Sequence, residues 1–457
     1  MTLFIDYNIG IMKEDIFTGE LTGKRYMNFI WPSILMMVVL SLYYTIDTIF
    51  VARFIGEEGL AAINIVYPIQ GVGWGVAVML ASGASALVSI EMGKGRQKEA
   101  DEKFTLMSVF TVVMGLLFTV LCLIFMSPIV NILGATEILT RDCEIFLSVF
   151  VWGIPAAFAG VGFEFFIRSD GSPAFTIALY IAGGVVHLGL DILFMGPMHM
   201  GLTGAALANI CGLLATAFMG LYYFIFRAKH LRFRKFPIDW RYIGHSFANG
   251  LPEFINESSA GIMVFCYNIV VIAIAGEVGV AAVAVVLQMH YLFMSVHLGY
   301  QIGCMPLISY YYGAHDFSKI NRVMRYTKNY IIVSSLALGG ILFTCAPLIA
   351  WIYAPPGEEL YELSVTGLRL VSISLFVIGI NVYVSGFFTC FGNGLISSTV
   401  SLSRGLIMLL LGLFVLSHFF GMTGAWLALP FADFTTLALS FGMLNKYKSR
   451  YHYRILG

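Results

Sequence analysis

The chain has 457 residues, of which 59% are hydrophobic and only 11% charged. Soluble domains carry about a quarter charged residues, so this composition excludes a water-soluble enzyme or binding module and makes lipid the solvent. The 26 basic and 26 acidic residues cancel, so where the charges sit informs more than their sum.

Residues 1–27 form a polar tail with Asp6, Lys13, Glu14, Asp15, Lys24 and Arg25. No cleavable signal is visible, so the first apolar stretch is expected to act as an uncleaved signal anchor. Twelve stretches then qualify as spanning helices, at 28–52, 60–90, 104–127, 143–168, 173–195, 201–226, 243–275, 280–311, 328–353, 365–391, 396–418 and 422–445. Each has about 20 or more mostly apolar residues, and several exceed what a bilayer needs, which implies tilt. Residues 446–457 form a second polar tail.

Basic residues orient the chain. With the N-terminus inside, 23 of the Lys and Arg residues fall on the inner side and three, Arg53, Arg141 and Arg369, on the outer side. The bias supports twelve helices with both termini cytoplasmic. The basic segment 227–242 carries Arg227, Lys229, Arg232, Arg234 and Lys235 and reads as an inner loop near anionic lipid.

A repeat joins the two sides of that segment. Pro32, Gly56, Gly83 and Gly93 recur as Pro252, Gly276, Gly303 and Gly313, and Gly201-Leu202-Thr203-Gly204-Ala205 recurs as Gly421-Met422-Thr423-Gly424-Ala425, always 220 residues on. Six helices per half is an even number, so both halves enter the membrane from the same side. The expected fold is all-α, with six-helix bundles at 28–226 and 243–445 in parallel, related by an axis along the membrane normal with a cavity between them. Pro32 and Pro252 suit the first turns of their helices.

Polar groups inside the bilayer carry the chemistry. A mid-membrane carboxylate costs about 2.5–3.5 kcal/mol on insertion scales, so each needs a reason. The first half holds Asp47, Glu164, His187, Asp191 and Asn209. His187 and Asp191 are four apart and share a helical face. If these residues converge, they form a pocket that holds a proton or sodium ion and releases it, with Na⁺ placed at Asp47 and Asp191. The alternative pairs Glu164 with Arg168 and Asp47 with Arg53. The second half offers Glu253 and Glu257, four apart, and His297, as ion or substrate groups. Tyr43, Tyr44, Tyr67, Gln70 and Trp74, with Tyr267, Gln288 and Tyr291, are candidate walls of a cavity for flat cations. The seven cysteines are scattered without CxxC or CxxH spacing and read as core thiols rather than disulfides or metal ligands. No HExxH, GxSxG or P-loop is present, and no segment is long enough for a nucleotide-binding domain, so neither an enzyme nor an ATP-driven pump is expected.

Several motifs in order resemble those of the multidrug and toxic compound extrusion (MATE) transporters: Asp47-Thr48-Ile49-Phe50-Val51-Ala52-Arg53-Phe54-Ile55-Gly56, Gly59-Leu60-Ala61-Ala62 with Pro68, Ile167-Arg168-Ser169-Asp170-Gly171-Ser172-Pro173, Gly201-Leu202-Thr203-Gly204-Ala205-Ala206, and Gly313-Ala314. The resemblance spans about 28–445. It implies a V-shaped pair of bundles in the inner membrane that exports organic cations and drugs, as a monomer, by H⁺ or Na⁺ antiport with no other cofactor. It also implies ion coupling at Asp47 and at a fifth-helix pattern falling on His187 and Asp191, with His187 in place of the usual asparagine. The family's fourth-helix asparagine falls on Glu164 and its sixth-helix threonine on Asn209. The cluster is thus more titratable than the common pattern, which leans toward proton coupling or a mixed site. A lipid or lipid-linked oligosaccharide flippase of the same superfamily is the first rival; an intramembrane enzyme and a passive channel are weaker ones.

Overall fold

A computed structural model describes residues 15–133 and 137–454; the side chains of 44–54, 56–61, 64, 137 and 138 fall outside the description. Asp47 and Tyr44 are among these and lie outside the described residues. The chain is helical, with no strand among the described residues. The helices are α1 (Gly23–Gly93), α2 (Gln97–Ile124), α3 (Met126–Ile132), α4 (Glu137–Phe150), α5 (Ile154–Ser169), α6 (Pro173–Met195), α7 (Gly201–Phe226), α8 (Trp240–Gly313), α9 (Phe317–Tyr353), α10 (Glu359–Phe387), α11 (Gly394–Leu402) and α12 (Met408–Tyr451).

Among the described residues, ten helical stretches are long and apolar enough to cross a membrane. Two of them are double. Trp240–Gly313 breaks at Gly276 (φ 59°) and the stretch Gly394–Tyr451 breaks at Gly421 (φ 56°), both in the left-handed region that favours glycine. Twelve spans result. Ile30 and Ile90 both lie against the last turns of α8, so α1 is a hairpin as well.

The 220-residue repeat is visible in the backbone. Gly201 and Gly421 share φ near 55°, and Gly95 is matched by His315, also at positive φ. One expectation fails. Pro32 and Pro252 are interior prolines, because α1 and α8 begin two to three turns earlier, at Gly23 and Trp240. The extra turns carry Lys24, Arg25 and Arg241, polar residues that hide a helix start from a hydropathy reading.

α1 and α8 form the seam between the bundles, and the seam is reciprocal. A Cβ built on Gly93 overlaps the Tyr310 carbonyl oxygen; one built on Gly313 overlaps the Ile90 carbonyl oxygen. Residues 90 and 310 are repeat mates, as are 93 and 313, so this is a pseudo-two-fold contact. Gly83 meets Gly250, and Gly303 meets Ile30, the repeat mate of Gly250, in the same relation. The Asn249 amide donates across the seam to Gly83 O at 3.2 Å and also to Thr389 O at 3.1 Å. Tyr26 of the first bundle is fully buried, its hydroxyl within 2.7 Å of Tyr300 and 3.1 Å of Cys304 in the second.

All these contacts lie toward one end, where the basic loops gather. The linker 227–239 lies along that face of the first bundle. Asp170, fully buried, accepts from the backbone N–H of Lys229, His230 and Leu231 at 2.6–2.7 Å and from the Tyr223 hydroxyl at 2.6 Å. Asp101 accepts from Arg232 N at 3.1 Å, and Lys103 pairs with Asp239. Four anchored donors explain an aspartate in what reads as an ordinary Ser-Asp-Gly-Ser-Pro turn. All seven cysteines are free.

Candidate functional site

In the first bundle the structure brings His187 and Asp191 together at 3.2 Å on one face of α6. Both are buried, at 5% and 1% exposure. The Tyr43 hydroxyl of α1 hydrogen-bonds His187 Nδ1. α7 allows this close packing because it presents Gly212, where a Cβ would lie 2.7 Å from that of His187. A carboxylate, an imidazole and a phenol in one apolar interior can accept and release a proton or ligate a small cation.

Glu164 stands apart from this group. Its carboxylate pairs with Arg168 one turn along α5 and accepts from the Tyr180 hydroxyl. Tyr180 lies eleven residues before Asp191, about 16 Å along α6. The structure therefore favours the Glu164–Arg168 pair over convergence with Asp191. The Asn209 side-chain oxygen is buried without a hydrogen-bond partner among the described residues.

The second bundle has its own polar interior. Glu253 is 8% exposed and accepts from Gln301 Nε2 at 3.3 Å. His297 is 2% exposed and faces Ser335 Oγ at 3.5 Å. Sequence reasoning missed Asp433 and its partner Asn381. Asp433, on α12, is 2% exposed and accepts the Asn381 amide of α10 at its backbone oxygen (2.7 Å) and carboxylate (3.4 Å). Ser440 donates to Asn381 at 2.9 Å, and His290 bonds Ser374 at 2.9 Å. Arg404 is the charge that faces both Glu253 and Asp433. It sits on a single π-helical turn, Ser403–Ile407, a distortion common at functional positions. A signal existed: Asp433 is the one acidic residue within 422–445, and a lone mid-membrane carboxylate calls for a reason.

Between the bundles the seam loosens with distance from the basic end. A Cβ on Gly75 of α1 would lie 3.3 Å from that of Glu257 on α8, but one on Gly71 or Gly261 meets no described heavy atom within 4 Å. Beyond that level the bundles part into a cleft. Glu257 is exposed there, unlike Glu253 one turn away. Tyr67 (61% exposed) and Tyr291 (37%) share its electrostatic surroundings, one from each bundle. Gln70 and Gln288 are half-buried, and Trp74 packs at the edge of the core. Tyr267 does not line the cleft, contrary to expectation. It is fully buried in the second bundle and donates to Ala425 O at 3.1 Å. Tyr43 serves the His187 site instead.

Comparison with known proteins agrees with this architecture. A family model described as MatE matches residues 32–193 and 258–414. The probable multidrug resistance protein YoeA of Bacillus subtilis is 24% identical over 446 residues, covering 91% of each chain. An FAD transporter of Shewanella oneidensis is 22% identical over 425 residues, covering 90% of this chain and 92% of its own. Among solved structures, the outward-facing conformation of a multidrug resistance MATE family transporter of the MOP superfamily superposes with TM-score 0.89 at 20% identity, covering 97% of this chain and 98% of that one.

Proposed function

The chain belongs to the MatE family of membrane transporters, and from that premise we propose that it exports organic cations by alternating access, driven by H⁺ or Na⁺. The carrying observation is the cleft carboxylate. Glu257 is exposed between the bundles, beside Tyr67 and Tyr291, where a flat cation finds a counter-charge and aromatic faces. The relatives named for multidrug resistance support a broad cargo. The basic loops belong on the cytoplasmic side of the inner membrane, so the cleft faces outward and the seam closes the inner side.

Ion coupling belongs to Asp191 and His187, together with Asp47, which follows Tyr43 by four residues in the sequence. Loading this pocket alters how α1 and α6 pack, and cargo and ion need only prefer different states to drive exchange. Glu164, bound to Arg168, steadies α5 at the basic end. The relative named as an FAD transporter raises a flavin-sized cargo as a second reading. A carboxylate in the cleft opposes phosphate-bearing cargo, and this weighs equally against a lipid-linked flippase.

Ethidium exchange in proteoliposomes under an imposed pH or Na⁺ gradient tests the reading. Glu257→Gln should weaken exchange about tenfold, equivalent to about 1.4 kcal/mol. Asp191→Asn should abolish the dependence on either gradient. Full exchange in Glu257→Gln would remove the cation site from the cleft. No exchange under either gradient would favour the flippase.

A further inference from the structure

Residues 15–22 precede α1 and lie outside both polar sites. They are nevertheless well packed: Ile16, Phe17 and Leu21 are exposed by 1%, 2% and 0%. They belong to a core cluster drawn from both bundles.

Their polar contacts also reach both bundles. On the first-bundle side, Asp15 Oδ2 meets His230 Nε2 at 3.1 Å. The Phe17 ring lies edge-on to His230 at 5.8 Å and close to Gly171. His230 is itself fixed by the backbone hydrogen bond to Asp170. On the second-bundle side, the Phe17 ring packs on Tyr310 at 4.7 Å. Tyr311 donates to Ile16 O at 2.9 Å, Lys319 Nζ to Phe17 O at 3.3 Å, and Arg322 to Leu21 O at 2.9 Å.

The segment thus crosses the seam at its closed end. Alternating access, on which this inference rests, requires the seam to part there. A segment that runs on into α1 and is bonded to both bundles has to give up its side-chain contacts to one of them. The second-bundle side is held by three hydrogen bonds to backbone carbonyls, the Arg322–Glu20 pair at 3.9 Å and a ring contact; the first-bundle side, where the segment also runs on into α1, is held by one ion pair and the ring edges of His230 and Phe29.

We propose that residues 15–22 are a latch that holds the basic end shut by bridging His230 to Tyr310, Tyr311, Lys319 and Arg322, and that it opens at the Asp15–His230 contact. The groups facing this contact are Asp170 and Lys229 around His230, and Lys229, Tyr310, Tyr311 and the Phe17 N–H around Asp15.

The latch carries a pH dependence of definite sign. The Asp15 hydrogen bond raises His230 above its usual pKa, against the opposing effect of burial. Burial alone would raise Asp15, but His230 and the Phe17 amide outweigh it and lower that carboxyl. The ion pair is therefore complete below the free imidazole value of about 6.5 and is lost as pH climbs through the raised value. Acid on the basic face keeps the latch closed and alkali opens it, so a proton-importing cycle would slow as acid accumulates inside.

Cys304 offers a native readout, since it is 1% exposed behind the latch against the Tyr26 hydroxyl. In the full-length protein in lipid nanodiscs, with every other cysteine replaced by serine, maleimide labelling of Cys304 reports opening at the basic end. Rates are normalised to the denatured protein at each pH, which removes the thiol's own titration. We expect labelling to rise severalfold from about pH 6 to about pH 8. Asp15→Asn, nearly isosteric, should label severalfold faster at the acid end and lose the pH response. Phe17→Ala should also label faster, and Asp15→Asn keeps the test valid if Phe17→Ala does not fold. An unchanged rate and unchanged pH profile in Asp15→Asn would overturn the latch. Ethidium exchange measured on the same samples separates the two readings: labelling that responds without exchange defeats the transport proposal alone, and exchange without a labelling response defeats the latch alone.

Discussion

The two ends of the α1–α8 seam are built on opposite rules. At the basic end, backbone touches backbone through Gly83, Gly93, Gly250 and Gly313. Nearer the other end, Gly71 and Gly261 face open space among the described residues, and Glu257, Tyr67 and Tyr291 are exposed. Helices in lipid gain little from the hydrophobic effect and associate by close approach. A glycine seam therefore closes tightly where backbone meets backbone, and loosens where the glycines face open space.

The closed end is most sensitive at its tightest contact. Gly93→Ala pushes a methyl into the Tyr310 carbonyl, so it should cost at least the roughly 1–3 kcal/mol of an overpacked core. A lowered melting temperature and faster Cys304 labelling would register it. Removing the linker anchor comes next. Asp170→Ala strands the N–H groups of Lys229, His230 and Leu231 and should cost about 1–3 kcal/mol in thermal unfolding. Tyr26→Phe deletes one hydroxyl shared with Tyr300 and Cys304 and should cost about 0.5–1.5 kcal/mol, with labelling of Cys304 raised modestly. The smallest effect belongs to the open end. Gly71→Ala meets no described neighbour and should leave stability unchanged or raised by up to about 1 kcal/mol through helix propensity. Equal effects of Gly71→Ala and Gly93→Ala would erase the distinction between the two ends.

The sequence revealed depth better than direction. Hydropathy located the twelve spans, and the repeat glycines 83, 93, 303 and 313 turned out to be the residues at the pseudo-two-fold seam. Orientation about each helix axis was harder to read, because a membrane helix is apolar on every face and carries little amphipathic signal. Tyr267 is thus expected in the cleft and is buried in a bundle, while Tyr291 and Glu257 are exposed. His187 with Asp191 was legible because spacing of four fixes a shared face. Asn381 and Asp433 were missed because they meet only across 52 residues of chain. The strap 15–22 was hidden by its polarity, which reads as a solvated tail although its three large apolar side chains are buried.

The reciprocal seam also bears on ancestry. The Gly93–Tyr310 and Gly313–Ile90 contacts are made by backbone oxygens, which are indifferent to side-chain identity. Two separate copies of the first half would present Ile90 O to Gly93 twice over and close the same joint as a homodimer. Gene duplication and fusion would then supply the partner at high effective concentration without changing the joint. Once fused, the copies are free to specialise. The first keeps His187 and Asp191 and the second keeps Arg404 and Asp433, while the glycines between them preserve the older symmetry.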